Sequence, residues 1–284
     1  MKFLPPAPWT SSAVRKATAP VAGRLSVCAS AACLAACLAA LLALTLPPFV
    51  ARADQRSDFL DGRTRACPRC DLSGSNFKRH DLAGADLTGA KLRDTNFHDA
   101  NLAGARLAGA DLTGANLNKA DLRRADLAGA NLHEAMLYAA NLDGAKLAGA
   151  DLTDALMGTA RLTRSDLSKT ILRNVDLRKA RLADAILLGA DLSGAALDFA
   201  LFRAAKLDDA LLGEARLIGT EFTDASLVGA DLSDANAEGA NFRGANLSRA
   251  NLAGTSFRKA DLYDTVFDDA IFRDTTMPDG TTQP

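Results

Sequence analysis

The stretch NLAGARLAGADLTGANL, residues 101–117, places a leucine at positions 102, 107, 112 and 117. An interval of five residues fits neither an α-helix, with about 3.6 residues per turn, nor a simple strand, with a period of two. On a helix, successive leucines would lie about 140° apart and would spread around the whole cylinder. The interval therefore predicts a different repeating backbone unit.

The five-residue interval runs from Cys70 to Met277 without a slip. Its 42 leucine positions hold 31 Leu, 8 Phe, two Met and one Ala, and 31 of the 42 positions two residues earlier hold Ala. Residues two apart on a strand point to the same side, so Ala and Leu point inward and the Asp or Asn between them points outward. The next two residues also suit the outside. The chain must therefore turn a corner at the second of them, where Gly, Asp and Asn are favourable.

Phenylalanines indicate how many corners close one coil. Phe202, Phe222 and Phe242 are 20 residues apart, as are Phe77 and Phe97. In a coil of four five-residue sides these residues lie directly above one another, so their rings can stack in the interior. The pattern therefore predicts an all-β rod of about ten coils of 20 residues, ~50 Å long at about 4.8 Å per coil.

The segment ADLTGANLNKADLRRADLAGANL, residues 110–132, resembles the tandem A(D/N)Lxx units of the pentapeptide-repeat proteins, and the resemblance extends over residues 70–277. CPRCDLSG at 67–74 is similar to the opening of many members, and TTMPDGT at 275–281 is similar to a familiar close. The resemblance implies a right-handed quadrilateral β-helix.

Residues 1–53 have the pattern of a secretory signal peptide. Basic residues precede an uncharged run from Leu25 to Val50, and Ala51-Arg52-Ala53 follows as an A-x-A cleavage site. We expect cleavage before Asp54, a periplasmic or secreted protein, and no stable membrane insertion afterwards. The alternatives are a thylakoid-lumen protein, an uncleaved membrane anchor, and a lipid-modified Cys37.

Cleavage at that site leaves two cysteines, Cys67 and Cys70. In an oxidising compartment, two thiols three residues apart tend to pair, so we expect a structural disulfide, with a redox-active dithiol as the alternative. We expect residues 54–69 to form an N-terminal cap that this disulfide ties to the first coil.

The opposite end has less sequence to cover it. Residues 278–284 form a short tail after the last repeat, and bulky residues concentrate just before it, at Phe257, Phe267 and Phe272. An open end of a β-solenoid exposes unpaired strand edges, so we expect an end-to-end homodimer there.

The sequence offers little for catalysis. His80 occupies an inward alanine position, and His98 and His133 fall on different outward sides, where they cannot share a metal ion. The carboxylates follow the repeat and line a convex rod without an evident pocket. After Arg69 the chain has 24 basic and 31 acidic residues, too acidic a balance for a nucleic-acid binder. We expect no enzymatic activity, no cofactor and no nucleic-acid partner.

Outward positions between residues 136 and 228 contain apolar side chains that interrupt the polar pattern. Indexed by 20, five of them share one side of the rod: Met136, Tyr138, Leu156, Phe199 and Ile218. A basic girdle, which includes Arg173 and Arg178, lies between them. Apolar residues beside arginine are typical of protein interfaces, so we predict an interaction surface from these seven residues.

These observations favour an exported, rigid, non-enzymatic scaffold for a protein partner. The resemblance implies a second candidate, because some members of the family imitate DNA and bind DNA gyrase as topoisomerase inhibitors. That mimicry needs a strongly negative rod, which the basic girdle and the modest net charge of −1 do not favour. A redox protein that uses Cys67 and Cys70 is the third candidate.

Overall fold

The computed structural model describes residues 49–283, with side chains from Gln55 onward. This part contains a helix, α1 (Phe49–Leu60), then a long series of coils, and finally an antiparallel pair of short strands, β1 (Thr275–Thr276) and β2 (Thr282–Gln283). Most of the predicted signal peptide lies outside the described residues, and its predicted cleavage site lies within α1. Among the described residues, no helix combines the length and apolar character needed to cross a bilayer.

The coils form a right-handed quadrilateral β-helix, which confirms the predicted fold. Parallel bridges join equivalent positions of successive coils, such as Asp81 to Asn101 and Asn101 to Asp121, so four repeat units close each coil and give the rod four faces. The bridges begin at Ala66, ahead of the predicted start of the repeat at Cys70. An extra unit is present there because Cys67 occupies a leucine position and is fully buried.

Backbone hydrogen bonds follow one rule in every coil that has a neighbouring coil on both sides. The N–H of Leu102 donates to the carbonyl of Asp121 at 2.7 Å, and the N–H of Asn101 donates backward to the carbonyl of His80 at 2.9 Å. Within the unit, the N–H of Ala105 donates to the carbonyl of Leu102 at 2.9 Å and closes the turn. Each unit is therefore bonded to the coil before it and to the coil after it.

The leucine and alanine positions fill the interior. At the leucine positions, the leucines from Leu72 to Leu252 are fully or almost fully buried, and burying one such side chain is worth roughly 1.5–3 kcal/mol before chain entropy is counted. The rings of Phe202 and Phe222 stack with centroids 5.1 Å apart, and those of Phe222 and Phe242 with centroids 4.9 Å apart. The regular spacing of these phenylalanines thus produces a continuous aromatic column inside the rod.

Threonine replaces alanine at several inward positions without leaving a polar group unpaired. The Thr220 hydroxyl donates to the Leu197 carbonyl at 2.8 Å, and the Thr255 hydroxyl donates to the Leu232 carbonyl at 2.7 Å. Among the described residues, no buried side-chain nitrogen or oxygen lacks a hydrogen-bond partner. These substitutions therefore avoid the cost of burying an unpaired polar group.

Helix α1 closes the N-terminal end. Phe59 is 4% exposed, and its ring packs edge-on against Phe77 with centroids 5.7 Å apart. The Gln55 side-chain amide also donates to the Ala66 carbonyl at 3.3 Å. The helix thus covers the apolar interior and the start of the first coil, and the described side-chain contacts come from residues after Ala53.

Corner positions require an unusual backbone. The second residue after each leucine position from Leu72 to Phe272 has a positive φ, for example 66° at Gly104 and 55° at Ala204. This left-handed region costs a residue with a side chain roughly 1–2 kcal/mol, whereas glycine adopts it freely. The backbone therefore explains why glycine is so frequent at this position.

We predict opposite effects for two substitutions at corners. Ala204→Gly should stabilise the protein by roughly 1 kcal/mol, because relief of the left-handed strain exceeds the added entropy of the unfolded chain. Gly104→Ala should destabilise it by a similar amount; a Cβ there would meet no heavy atom within 4 Å, so the effect would come from the backbone. Urea unfolding midpoints measure both changes. Shifts of the same sign would contradict the assignment.

Candidate interaction surfaces

One face of the rod gathers most of the predicted interaction residues. It is built from residues 136–139, 156–159, 176–179, 196–199 and 216–219, which bridge to one another from coil to coil. We call it the Tyr138 face. Six of the seven predicted residues lie on it: Met136, Tyr138, Leu156, Arg178, Phe199 and Ile218.

Arg173 does not belong to this face. It lies on the neighbouring face, where its Nε is 2.5 Å from Oδ2 of Asp191. The girdle passes around all four faces of the rod, and indexing by 20 already separates Arg173 from Arg178, so including Arg173 with the other six residues was wrong. The predicted surface therefore loses Arg173.

Two aromatic rings on the Tyr138 face lie against glycines of the next coil. Tyr138 is 53% exposed, and a Cβ at Gly158 would be 3.4 Å from Cδ2 of its ring. Phe199 is 55% exposed, and a Cβ at Gly219 would be 2.7 Å from Cε1. Each ring lies over the glycine at the same position of the next coil. Gly158 precedes the corner position, where glycine is not required by the backbone. A glycine at this position is the sequence feature that indicates close contact with the Tyr138 ring.

The apolar residues form two groups with charged residues between them. The first group is Met136, Tyr138 and Leu156, and the second is Phe199 and Ile218. Leu156 is 51% exposed, and its backbone bridges to that of Met136. Arg178 lies in the coil between the two groups. Its Nη2 is 2.6 Å from Oδ2 of Asp176, and its Nε is 2.8 Å from Oδ1 of the same residue. Lys179 has no carboxylate partner among the described residues. The step between the two apolar groups therefore has a net positive charge.

The Arg178–Asp176 pair keeps both groups ionised. The hydrogen bond from Arg178 is the largest influence on Asp176 and holds the pKa of this carboxyl below its usual value, although burial acts in the opposite direction. The carboxylate in turn raises the pKa of Arg178. Protonation of Asp176 would remove the pair, so its stabilising effect is present above the ordinary Asp pKa and is lost at lower pH.

The second apolar group is also supported by an ion pair. Asp198 is only 7% exposed, and Nη2 of Arg216 lies 2.6 Å from its Oδ2. Phe199 follows Asp198 directly, and Ile218 is half-buried beside Arg216. Because Arg216 satisfies Asp198, this group presents an apolar surface with little net charge.

The described residues contain no metal-binding cluster, and the groove beside Tyr138 is shallow and open, with a volume of about 290 Å³.

The expected interior position of His80 was wrong. Its imidazole is exposed, with Nδ1 3.1 Å from the Lys78 carbonyl, because an alanine position admits only a small side chain. On another face, Nδ1 of His133 lies 3.0 Å from the backbone carbonyl oxygen of Thr153 in the next coil.

Cys67 and Cys70 lie beneath α1. Their sulfur atoms are 2.00 Å apart, and the two residues are 0% and 4% exposed. The Sγ of Cys67 is 3.7 Å from the Gln55 carbonyl on α1. A redox dithiol must reach the thiol of a partner, and α1 obstructs that approach.

The C-terminal end is open on three of its four faces. The backbone N–H groups of Leu262, Phe267 and Phe272 have no acceptor in the described part of the chain, because residues 278–283 do not form another coil. These three side chains are only half-buried, unlike the leucine positions of earlier coils. On the fourth face, the Phe257 N–H donates to the Thr276 carbonyl at 2.8 Å, so β1 covers that face alone.

Comparison with known proteins identifies the repeat. The family model for pentapeptide repeats matches in eight copies, which cover residues 69–104, 81–118, 115–154, 160–198, 200–236 and 235–274. No curated protein matches the chain significantly.

A solved structure of similar sequence gives the same result. HetL from the cyanobacterium Nostoc sp. strain PCC 7120, a pentapeptide repeat protein involved in heterocyst differentiation regulation, is 35% identical, with a TM-score of 0.60 over 77% of this chain and 91% of HetL. A trypsin-treated QnrB1, a plasmid-mediated fluoroquinolone resistance protein, is 20% identical, with a TM-score of 0.45 over 70% of this chain and 90% of QnrB1. A pentapeptide repeat protein of the Arabidopsis thaliana thylakoid lumen is 35% identical over 40% of this chain and 70% of its own, with a TM-score of 0.26.

Burial of Cys67 and Cys70 leads to a prediction about their reactivity. The native oxidised protein should show no thiol towards a chromogenic disulfide reagent, even after mild reductant has been added and removed. Reduction in denaturant should release two thiols from a chain that starts at Asp54. Rapid native reduction and reoxidation would contradict a structural role and favour the redox alternative.

Proposed function

Because this chain belongs to the pentapeptide-repeat family, we propose that it is an exported, non-enzymatic scaffold that binds a protein partner through the Tyr138 face. A rod whose coils are all hydrogen-bonded to their neighbours provides a rigid surface. In the described residues the grooves are open and contain no metal-binding cluster, an arrangement that favours binding over catalysis.

The observation that carries this proposal is the distribution of exposed apolar residues on the Tyr138 face. Tyr138 and Leu156 lie at one end, Phe199 lies at the other, and Lys179 lies between them. From Met136 to Ile218 the face covers four coil steps, about 19 Å. A partner that fits this surface presents an acidic side chain between two apolar ones.

Export rests on the predicted signal peptide, and the cap is compatible with it. The packing of Phe59 on Phe77 and the hydrogen bond from Gln55 involve residues that follow Ala53. Cleavage at the predicted site would therefore leave these contacts in place. A periplasmic or secreted protein fits best with a cysteine pair that closes in an oxidising compartment.

The topoisomerase-inhibitor alternative has weaker support. Mimicry of DNA requires regular rows of negative charge, whereas arginines and carboxylates alternate on the described faces, as in the pairs Arg178–Asp176 and Arg161–Asp143. At 20% identity, the likeness to QnrB1 concerns the fold alone. The redox alternative is disfavoured by the burial of Cys67 and Cys70.

Photocrosslinking tests the proposed face. A photoreactive amino acid at Leu156, 51% exposed, should produce a discrete crosslinked protein in the exported fraction of the source cells. The same amino acid at Leu211, an equivalent outward position on a neighbouring face with 43% exposure, should not produce it. Equal crosslinking from both positions would contradict a specific surface.

Substitutions on the Tyr138 face are compared with a matched arginine substitution on the adjacent face. Arg178→Glu and Phe199→Asp should each reduce the Leu156 crosslink at least about tenfold, the effect of losing about 1.4 kcal/mol of binding. Arg173→Glu, which removes an equivalent ion-paired arginine from the adjacent face, should leave it unchanged. Aspartate is frequent at corner positions, so Phe199→Asp should preserve the fold, which circular dichroism verifies.

We further propose that two chains associate through their C-terminal ends. The unpaired N–H groups of Leu262, Phe267 and Phe272 form an open strand edge, and the apolar interior beneath them is incompletely covered. Edge pairing with a second copy would satisfy these N–H groups and bury the exposed rings.

Sedimentation equilibrium of the processed chain should reveal a reversible dimer. Phe267→Lys should shift the equilibrium to monomer, because a charge at an open edge opposes pairing. Leu60→Lys places the same charge on an exposed apolar residue of α1 at the capped end and should leave the dimer intact. A wild-type chain that stays monomeric at high concentration would rule out the dimer without affecting the Tyr138 face.

A further inference from the structure

A second face of the rod contains an open groove of about 660 Å³. This face includes residues 101–104, 121–124, 141–144, 161–164, 181–184 and 201–204, and we call it the Arg124 face. The groove is lined by Ala103, Gly104, Arg123, Arg124, Asp143, Gly144 and Arg164.

Two carboxylates near the groove are already engaged by arginines. Asp121 binds Arg123 through Nε at 2.8 Å and Nη2 at 2.6 Å. Asp143 binds Nη2 of Arg161 at 2.7 Å and also accepts the backbone N–H of Thr163 at 3.0 Å. These acidic groups therefore do not neutralise the other cations that line the groove.

The remaining cations are Arg124 and Arg164. Arg124 has no ion-pair partner in the described part of the chain. The Arg164 Nε is 4.0 Å from Oδ2 of Asp184, and the two side chains are 79% and 56% exposed, so this pair is weak. Both arginines line the same groove with unsatisfied guanidinium donors.

Gly144 separates the two arginines and leaves space between them. Arg124, Gly144 and Arg164 occupy the same corner in three successive coils, so the outer two are about 10 Å apart at the backbone. A Cβ at Gly144 would lie 3.7 Å from Cγ of Arg124, so a larger residue would fill the gap. Guanidinium groups on long side chains can span this gap from both sides.

From this geometry we propose that the groove binds a phosphate-bearing ligand, with its anionic group held between Arg124 and Arg164 above Gly144. Guanidinium forks match phosphate oxygens in paired hydrogen bonds, and two of them balance a dianion. The small residues Ala103 and Gly104 leave room for the rest of the ligand along the groove. A soluble phosphate ester or polyphosphate and a phospholipid headgroup share this chemistry.

This site is independent of the proposed protein partner. Its residues lie on a different face from Tyr138 and Phe199, and none of them contributes to the open C-terminal edge. Loss of phosphate binding and loss of the Leu156 crosslink are therefore separate observations, and either proposal can fail alone.

Calorimetric titration of the processed chain with tripolyphosphate tests the site. Arg124→Ala and Arg164→Ala should each weaken binding about tenfold, in line with the loss of a charge-assisted hydrogen bond. Arg203→Ala is the matched control, since Arg203 is on the same face, exposed and without an ion pair among the described residues, but lies outside the groove. The control should bind as the wild type does.

A flotation arm distinguishes the sources of phosphate. Binding to phosphatidylcholine vesicles that contain phosphatidylglycerol, lost in both groove variants, would assign a lipid headgroup; tripolyphosphate binding without flotation would assign a soluble ligand. The proposal is overturned if the wild type binds neither probe. It is equally overturned if Arg203→Ala weakens binding as much as Arg124→Ala does, because the effect would then come from overall charge.

Discussion

The structure depends on the hydrogen bond between the N–H of each leucine position and a carbonyl of the following coil, as from Leu102 to Asp121 at 2.7 Å. This bond places each unit on the next coil and holds all units at the same spacing. A leucine that is buried in one coil therefore lies above another buried residue in the next. The aromatic column of Phe202, Phe222 and Phe242 follows directly from that register.

The same constraint makes the two ends chemically different. A coil at either end lacks one neighbour, so its N–H or carbonyl groups need another partner. At the N-terminal end α1 supplies Gln55 and Phe59, and the cysteine pair lies beneath it. At the C-terminal end β1 covers one face, and Leu262, Phe267 and Phe272 keep an open edge. Among the described residues, the open strand edge therefore lies at the C-terminal end.

The outward residues differ from face to face, whereas the interior is nearly uniform. Replacing one outward residue changes a face without changing the register, which lets neighbouring faces of one rod have different chemistry. The Tyr138 face has exposed rings on either side of a basic step, whereas the Arg124 face has a polar groove with an unpaired Arg124 and a weakly paired Arg164. Pentapeptide-repeat architecture thus separates what holds the protein together from what it can bind.

The sequence by itself determined the four-sided coil, the inward and outward positions, the corners and the aromatic column, because all of these follow from one short period along one chain. It also placed Met136, Tyr138 and Leu156 on one side. The index of 20 also suffices to separate Arg173 from that side. Only the tertiary structure decided that His80 turns outward, and that Arg124 stays unpaired while Arg123 binds Asp121. An outward charged side chain can form its ion pair within its own unit, as Arg123 does with Asp121, or with an adjacent coil, as Arg161 does with Asp143. Which of these ion pairs forms depends on interatomic distances and side-chain conformations, and the five-residue period of the sequence does not specify them.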